Sequence, residues 1–255
     1  MTKVPDGGIF CSLVIPCYNE EGNLTPLAEG FAAALGAPSG PGDFELILVD
    51  NGSSDGTAAA LRALAARFPF LRAVTVPVNK GYGYGITQGL GTARGEYAGW
   101  AHGDLQYSPA EIMKAVELLR PARGKKIFLK GLRGARPLTD RFFTAGMAAF
   151  ESLLFGARFR DINAQPTLFH RSLLEHWDGA PADFSLDLYA YALALGKGFA
   201  VKRLALTLGE RAHGLSSWNR GFLARLRITV RYVKSSPAVK RAVDSSAAGP
   251  GPDRP

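Results

Sequence analysis

The stretch Phe44-Glu-Leu-Ile-Leu-Val-Asp-Asn-Gly-Ser-Ser-Asp-Gly-Thr57 decides the fold class. Phe44 to Val49 is a short run, apolar except for Glu45, and reads as a strand. It stops abruptly in Asp50, Asn51, Gly52, Ser53, Ser54 and Asp55, residues that favour turns and helix starts. A helix then reads from about Ala58 to Arg67, with Asp55 or Thr57 placed to cap it. Strand, polar loop and helix in that order form one unit of a parallel sheet.

The same unit recurs on both sides. Ile9 to Pro16 is an apolar strand that runs into Tyr18-Asn19-Glu20-Glu21-Gly22-Asn23, and a helix is spaced over Leu24 to Leu35. Leu71 to Val76 is a third strand, and helical spacing resumes at Thr87 to Ala93 behind the glycine loop Gly81 to Gly85. Glu96 to Ala101 is a fourth strand and ends in His102-Gly103-Asp104-Leu105-Gln106. Ser108-Pro109-Ala110-Glu111 is a capping box with proline at the first helical position, opening Ala110 to Arg120. Four repeats imply an α/β fold with a mainly parallel central sheet and helices on both faces. In such sheets ligands sit beyond the carboxyl ends of the strands, so the three polar clusters are expected at one edge.

The second half is less regular. Strands are expected at Ile127 to Leu129, Thr167 to Phe169 and Ala200 to Leu208, and helices at Arg141 to Phe155 and Ser185 to Leu195. Arg220 to Lys234 interleaves apolar and basic residues as a basic amphipathic segment. The expected organisation is a leader over 1–8, one domain over 9–234, and a disordered Ser/Ala/Gly/Pro-rich tail over 235–255.

The 255 residues are 47% hydrophobic and hold only two cysteines, Cys11 and Cys17, which excludes a disulfide scaffold and wholesale disorder. No stretch reaches the roughly 18 to 20 apolar residues of a membrane span. The net charge of +8 is an average over two unlike halves: Met1 to Leu119 carries −5 and Arg120 to Pro255 carries +13. A basic half suits phosphate groups or an anionic surface, while no nucleic-acid recognition motif accompanies it. Gly81-Tyr-Gly-Tyr-Gly85 misses the register of a dinucleotide-binding loop, because Ile86 stands where the third glycine belongs.

Four runs in order carry a resemblance: S-L-V-I-P-C-Y-N-E-E-G-N-L (Ser12 to Leu24), L-V-D-N-G-S-S-D-G-T (Leu48 to Thr57), N-K-G-Y-G-Y-G (Asn79 to Gly85) and H-G-D-L-Q-Y-S-P (His102 to Pro109). Together they resemble the family 2 glycosyltransferases, in the branch of dolichyl-phosphate mannose synthase and the polyprenyl-phosphate glycosyltransferases. The resemblance implies a GT-A fold and metal-dependent, inverting transfer from a nucleoside-diphosphate sugar, with a polyprenyl phosphate as acceptor. The alternatives are a glycan hydroxyl acceptor, or a partner protein of the same fold with weakened catalysis. The implied location is cytoplasmic, peripheral on the inner face of the cell membrane.

On that resemblance Pro16, Tyr18 and Glu20 line the nucleoside pocket, Asp50 accepts a hydrogen bond from the base, and Lys80 lies near the nucleotide. Asp104 and Gln106 hold Mn²⁺ or Mg²⁺ against the diphosphate, and oxygen donors suit such hard cations. His102 departs from the family, which usually carries Asp there in a D-x-D-x-Q pattern. An imidazole is a poorer ligand for Mg²⁺ and acceptable to Mn²⁺, so His102 is either a ligand or a bystander. Arg133, Arg141, Arg211 and His213 match positions that contact the diphosphate or acceptor, and guanidinium forks pair well with phosphate oxygens. Asp187 falls where the family carries an acidic residue opening a helix, and would be the base for a hydroxyl acceptor. The catalytic set is thus expected to be Asp104, Arg133, Asp187 and Arg211.

Overall fold

A computed structural model of the chain describes residues 8–36, 43–133, 138–207 and 222–247. The elements run β1 (Cys11–Cys17), α1 (Glu21–Leu35), β2 (Phe44–Asn51), α2 (Thr57–Arg67), β3 (Leu71–Val76), α3 (Tyr82–Leu90), β4 (Tyr97–Trp100) and α4 (Pro109–Leu119). They continue with β5 (Ile127–Arg133), α5 (Leu138–Phe155), β6 (Thr167–His170), α6 (Leu186–Gly196), β7 (Ala200–Leu206) and α7 (Phe222–Ala247). The seven strands form one sheet in the order β3-β2-β1-β4-β6-β5-β7.

Every residue of β2 is buried, and the pleat sends alternate side chains to opposite faces. Leu46 and Leu48 join the core that holds Leu27 and Phe31 of α1, Leu61 of α2 and Ile112 and Val116 of α4. Ile47 and Val49 join the other core, with Ile86 and Leu90 of α3, Leu188 and Leu193 of α6 and Val239 and Val243 of α7. Each such side chain contributes about 1.5–3 kcal/mol by leaving water. Two apolar faces covered by helices are what the largely apolar strands anticipate, and Cys11 and Cys17 are free thiols buried in the first core.

The pairs β1·β2, β2·β3 and β1·β4 are parallel, as the repeated unit requires. β6 runs antiparallel to both β4 and β5, so β5 regains the direction of β4, and β7 follows β5 in parallel. The carboxyl ends of β1, β2, β4 and β5 and the amino end of β6 therefore share one edge.

Two expectations are corrected. The glycine run is no loop: Tyr82 to Leu90 is helical, because glycines let α3 lie against its neighbours. A Cβ on Gly83 would stand 2.3 Å from the Pro181 carbonyl oxygen, and one on Gly89 would stand 2.5 Å from Val14 Cγ1. The expected disordered tail is also wrong up to Ala247. α7 continues through Ser235, and Val239 and Val243 bury their side chains against α6, an apolar spacing outweighed in composition by serine and alanine. Among the described residues, no helix is long and apolar enough to cross a membrane.

Candidate active site

The site edge is built from loops that bond to one another. Asn19, in the left-handed region at φ 54°, donates its backbone N–H to Ser53 Oγ at 3.0 Å and accepts from Ser54 N at 2.9 Å through Oδ1. The β1–α1 and β2–α2 loops are thereby tied to each other. Asp50, buried at the end of β2, accepts from Ser53 N at 3.0 Å, which orients its carboxylate in a tight turn. Glu20 donates its N–H to Thr57 Oγ1 at 3.0 Å, while its carboxylate accepts from Asn23 Nδ2. The α2 cap differs from the expected one: Gly56 occupies the position, Asp55 Oδ1 accepts from Thr57 N, and Glu21 Oε2 accepts from Gly56 N. Pro16, next to last in β1, is half-buried, and Tyr18 is 51% exposed at the rim. Lys80 is exposed, with Nζ 5.2 Å above the Tyr84 ring.

His102, Asp104 and Gln106 follow β4 in one half-buried loop. Asp104 Oδ1 accepts from Gln106 N at 3.2 Å, folding the loop back on itself, and Leu105 between them has φ 57°. His102 Nε2 lies 3.0 Å from Tyr82 Oη, with the two rings edge to face. Burial pushes the imidazole below its ordinary range against the pull of Asp104 and Asp187, so it is neutral at pH 7. Burial likewise raises the Tyr82 phenol, which stays protonated.

These donors fit a divalent cation as an open site. Among the described residues no cluster of three or more His, Cys, Asp and Glu side chains forms a closed cage. One carboxylate and one amide oxygen on a folded loop, with an imidazole nearby, suit a cation whose other ligands come from a diphosphate.

The β5–β6–α6 side of the same edge adds residues that the motifs did not single out. Lys130, in the middle of β5, is fully buried, and its Nζ donates to Asp187 Oδ1 at 2.8 Å and Thr167 Oγ1 at 2.7 Å. Gln165 Nε2 donates to the same Asp187 Oδ1 at 3.0 Å and reaches Tyr82 Oη at 3.4 Å. The signal was a lone lysine inside the apolar strand I-F-L-K-G-L, where only a partner could hold it. Arg133 at the end of β5 donates Nε and Nη2 to Asp161 Oδ1 at 2.9 and 2.6 Å, and its backbone N–H to Oδ2 at 3.0 Å. Its guanidinium thus stands on the site edge with one side committed to Asp161. Asp187 lies in the first turn of α6, as expected for an acid opening a helix. The side chain of Arg141 in α5, and Arg211 and His213 altogether, lie outside the described residues.

With this geometry in place, residues 12–125 match the family model described as Glycosyl transferase family 2. The dodecaprenyl-phosphate galacturonate synthase of Rhizobium johnstonii is 40% identical over 85% of this chain and 64% of its own length. The undecaprenyl-phosphate 4-deoxy-4-formamido-L-arabinose transferase of Edwardsiella ictaluri is 40% identical over 42% of this chain and 33% of its own. The chain therefore spans less than two thirds of the length of these curated relatives. In fold it is similar to glucosyl-3-phosphoglycerate synthase of Mycobacterium tuberculosis, solved with Mn²⁺, uridine diphosphate and glucosyl-3-phosphoglycerate. That likeness has a TM-score of 0.61 and 22% identity, and covers 96% of this chain and 82% of the other. The sheet, its edge and these likenesses agree on the GT-A fold, and residues 12–125 form a family 2 glycosyl transferase segment.

Proposed function

We propose that the protein transfers a sugar from a nucleoside diphosphate to a polyprenyl phosphate at a membrane surface, with inversion at the anomeric carbon. The observation that carries the reading is the convergence of the Asp50 turn, the Asp104–Gln106 loop, Arg133 and Asp187 on one sheet edge. Asp50 and the rim around Tyr18 receive the nucleoside, and Asp104 with Gln106 holds the cation. When bound, Mn²⁺ or Mg²⁺ supplies positive charge to the departing diphosphate. Arg133 adds hydrogen-bond donors where negative charge develops. An acceptor phosphate oxygen forms the new bond to the anomeric carbon, and the electron pair of the broken bond leaves with the nucleoside diphosphate.

The engagement of Asp187 favours a phosphate acceptor over a sugar hydroxyl, because the candidate base already has Oδ1 occupied by the Lys130 ammonium and the Gln165 amide. A phosphate oxygen is already ionised and needs no base. The surface of α5 points the same way. Ala145, Gly146, Ala149, Phe150 and Leu153 are exposed along one side of the helix, Leu153 at 86%, while the lone charge of that stretch, Glu151, is buried. Exposed Arg158 and Arg160 follow, and an apolar stripe beside cations suits an anionic bilayer. The named relatives from Rhizobium and Edwardsiella support a polyprenyl-phosphate acceptor.

The test is release of UDP from UDP-glucose and UDP-galacturonate, with undecaprenyl phosphate in vesicles and Mn²⁺ or Mg²⁺. Turnover that requires both lipid phosphate and cation is expected. Equal turnover with a soluble glycan in place of the lipid would favour the hydroxyl acceptor, and nucleotide binding without turnover would favour a partner protein.

A further inference from the structure

A buried polar seam crosses the sheet edge from the acceptor side to the cation loop. It begins at Lys130, whose ammonium is sealed from water by the sheet and lies 6.0 Å from the centre of the Trp100 ring. Its two hydrogen bonds go to Thr167, its register partner on β6, and to Asp187 on α6. Asp187 Oδ1 also accepts from Gln165, and Gln165 touches the Tyr82 hydroxyl, which meets His102. Five side chains from β5, the segment before β6, α6, α3 and the loop after β4 thus form one chain of contacts.

A lysine with no access to water is a costly choice for a strand interior, since an apolar residue of similar volume would pack there without desolvating a charge. Among the described residues its salt-bridge partner is Asp187, whose bonds from Lys130 and Gln165 both fall on Oδ1, leaving Oδ2 without a donor there. That arrangement pins the carboxylate by one oxygen and presents the other. The remaining links are neutral hydrogen bonds with little freedom, because Tyr82 is also stacked on Phe184 at 4.6 Å.

We propose that Lys130 is a positioning residue for sugar transfer: it fixes the Asp187 carboxylate, and through Gln165 and Tyr82 the same constraint sets the His102 imidazole beside the cation loop. The acceptor side and the cation side are then preorganised as one unit rather than assembled separately. The inference rests on the reading of the edge as a sugar-transfer site, with Asp187 facing the acceptor.

The test compares the wild type, Lys130→Met, and Lys130→Met combined with Asp187→Asn, each as the full chain. The single variant leaves Asp187 buried without its cation and is expected to lower the melting temperature. The double variant removes both charges and is expected to recover it. If the seam positions the reacting groups, kcat for UDP release stays at least about tenfold below wild type in the recovered double variant, with the UDP-sugar KM within about twofold. Recovery of wild-type kcat together with stability would overturn the proposal and leave the pair as packing alone.

A second arm needs no turnover. The chain has four histidines, so the imidazole resonances of His102 can be assigned by their loss in His102→Gln. Lys130→Met and the double variant are expected to shift the His102 signals while those of His170 and His176 stay in place. Unmoved His102 signals in both folded variants would equally overturn the proposal. Absence of UDP release by the wild type would count against the sugar-transfer reading, and the resonances would still decide whether Lys130 sets His102.

Discussion

Tyr82 Oη and His102 Nε2 stand 3.0 Å apart, joining the first turn of α3 to the loop after β4. The imidazole is thereby engaged on one nitrogen by a phenol that burial keeps protonated. His102→Asp replaces this neutral ring by a second hard oxygen donor next to Asp104, and the affinity of the protein for UDP in the presence of Mg²⁺ should rise by roughly tenfold. Calorimetric titration of UDP with Mg²⁺ and with Mn²⁺ reads this directly. A fall in Mg²⁺-dependent affinity would argue against an open cation site at this loop.

Gly83→Ala should destabilise the fold by about 2–3 kcal/mol, a cost typical of overpacking. The new Cβ would meet the carbonyl oxygens of Pro181 and Asp183 at 2.3 and 2.7 Å, backbone atoms that cannot rotate away. Gly146→Ala, on the open side of α5, is the control, since a Cβ there meets nothing within 4 Å. Urea midpoints of the two variants should differ clearly, and equal midpoints would refute the close approach.

Two buried carboxyls should give opposite pH dependences of stability. Burial pushes Glu45 up, but the Ser12 hydroxyl and the guanidiniums of Arg94 and Arg72 outweigh it and hold the group below its usual value of 4.5. Its contribution is therefore present above that pH and lost as pH falls through the lowered folded value. Glu45→Gln should cost about 2 kcal/mol at pH 7 and flatten the acid limb of the stability curve. Glu151, by contrast, is raised by burial, with Ser236 as its hydrogen-bond donor and Oε2 unpartnered. Stability should fall as pH rises from about 4.5 through that raised value, and Glu151→Gln should gain about 1 kcal/mol at pH 8. Urea melts from about pH 2 to 8 would show both slopes, and a Glu151→Gln variant no more stable at pH 8 than at pH 4 relative to wild type would contradict the second.

Leu153→Glu should weaken association with anionic vesicles about tenfold, the equivalent of keeping one leucine side chain in water. Leu153 is already solvent-exposed, so the melting temperature in solution should hardly change. Sedimentation with vesicles of phosphatidylglycerol and phosphatidylcholine gives the measurement. Undiminished association would count against the proposed contact of α5 with a membrane.

Val239→Asp should cost about 3 kcal/mol or more, because an unpaired carboxylate would enter the core shared by α6 and α7. Thermal unfolding followed by circular dichroism would report it. A neutral effect would restore the view of this region as a passive tail.

The first half of the fold was legible because its signals are local. A short, mostly apolar run such as Phe44 to Val49 reads as a buried strand, and the turn residues after it mark the edge that carries Asp50 and Asp104. Parallel pairing of β1, β2, β3 and β4 follows from the alternation of strands and helices alone. What sequence spacing does not encode is the approach of distant segments. The antiparallel insertion of β6 brings Gln165 and Thr167 to Lys130 and Asp187 across separations of 22 to 57 residues. Glycines that read as a loop become helix when a neighbouring backbone fills the space that side chains would need, and a serine- and alanine-rich segment becomes helix when α6 offers Val239 and Val243 an apolar surface. The first four strands, their parallel direction and the polar edge were thus determined by the sequence on its own. Which groups that edge joins, and with which charges, was decided by long-range packing, since a buried lysine and its carboxylate find each other only in the folded chain.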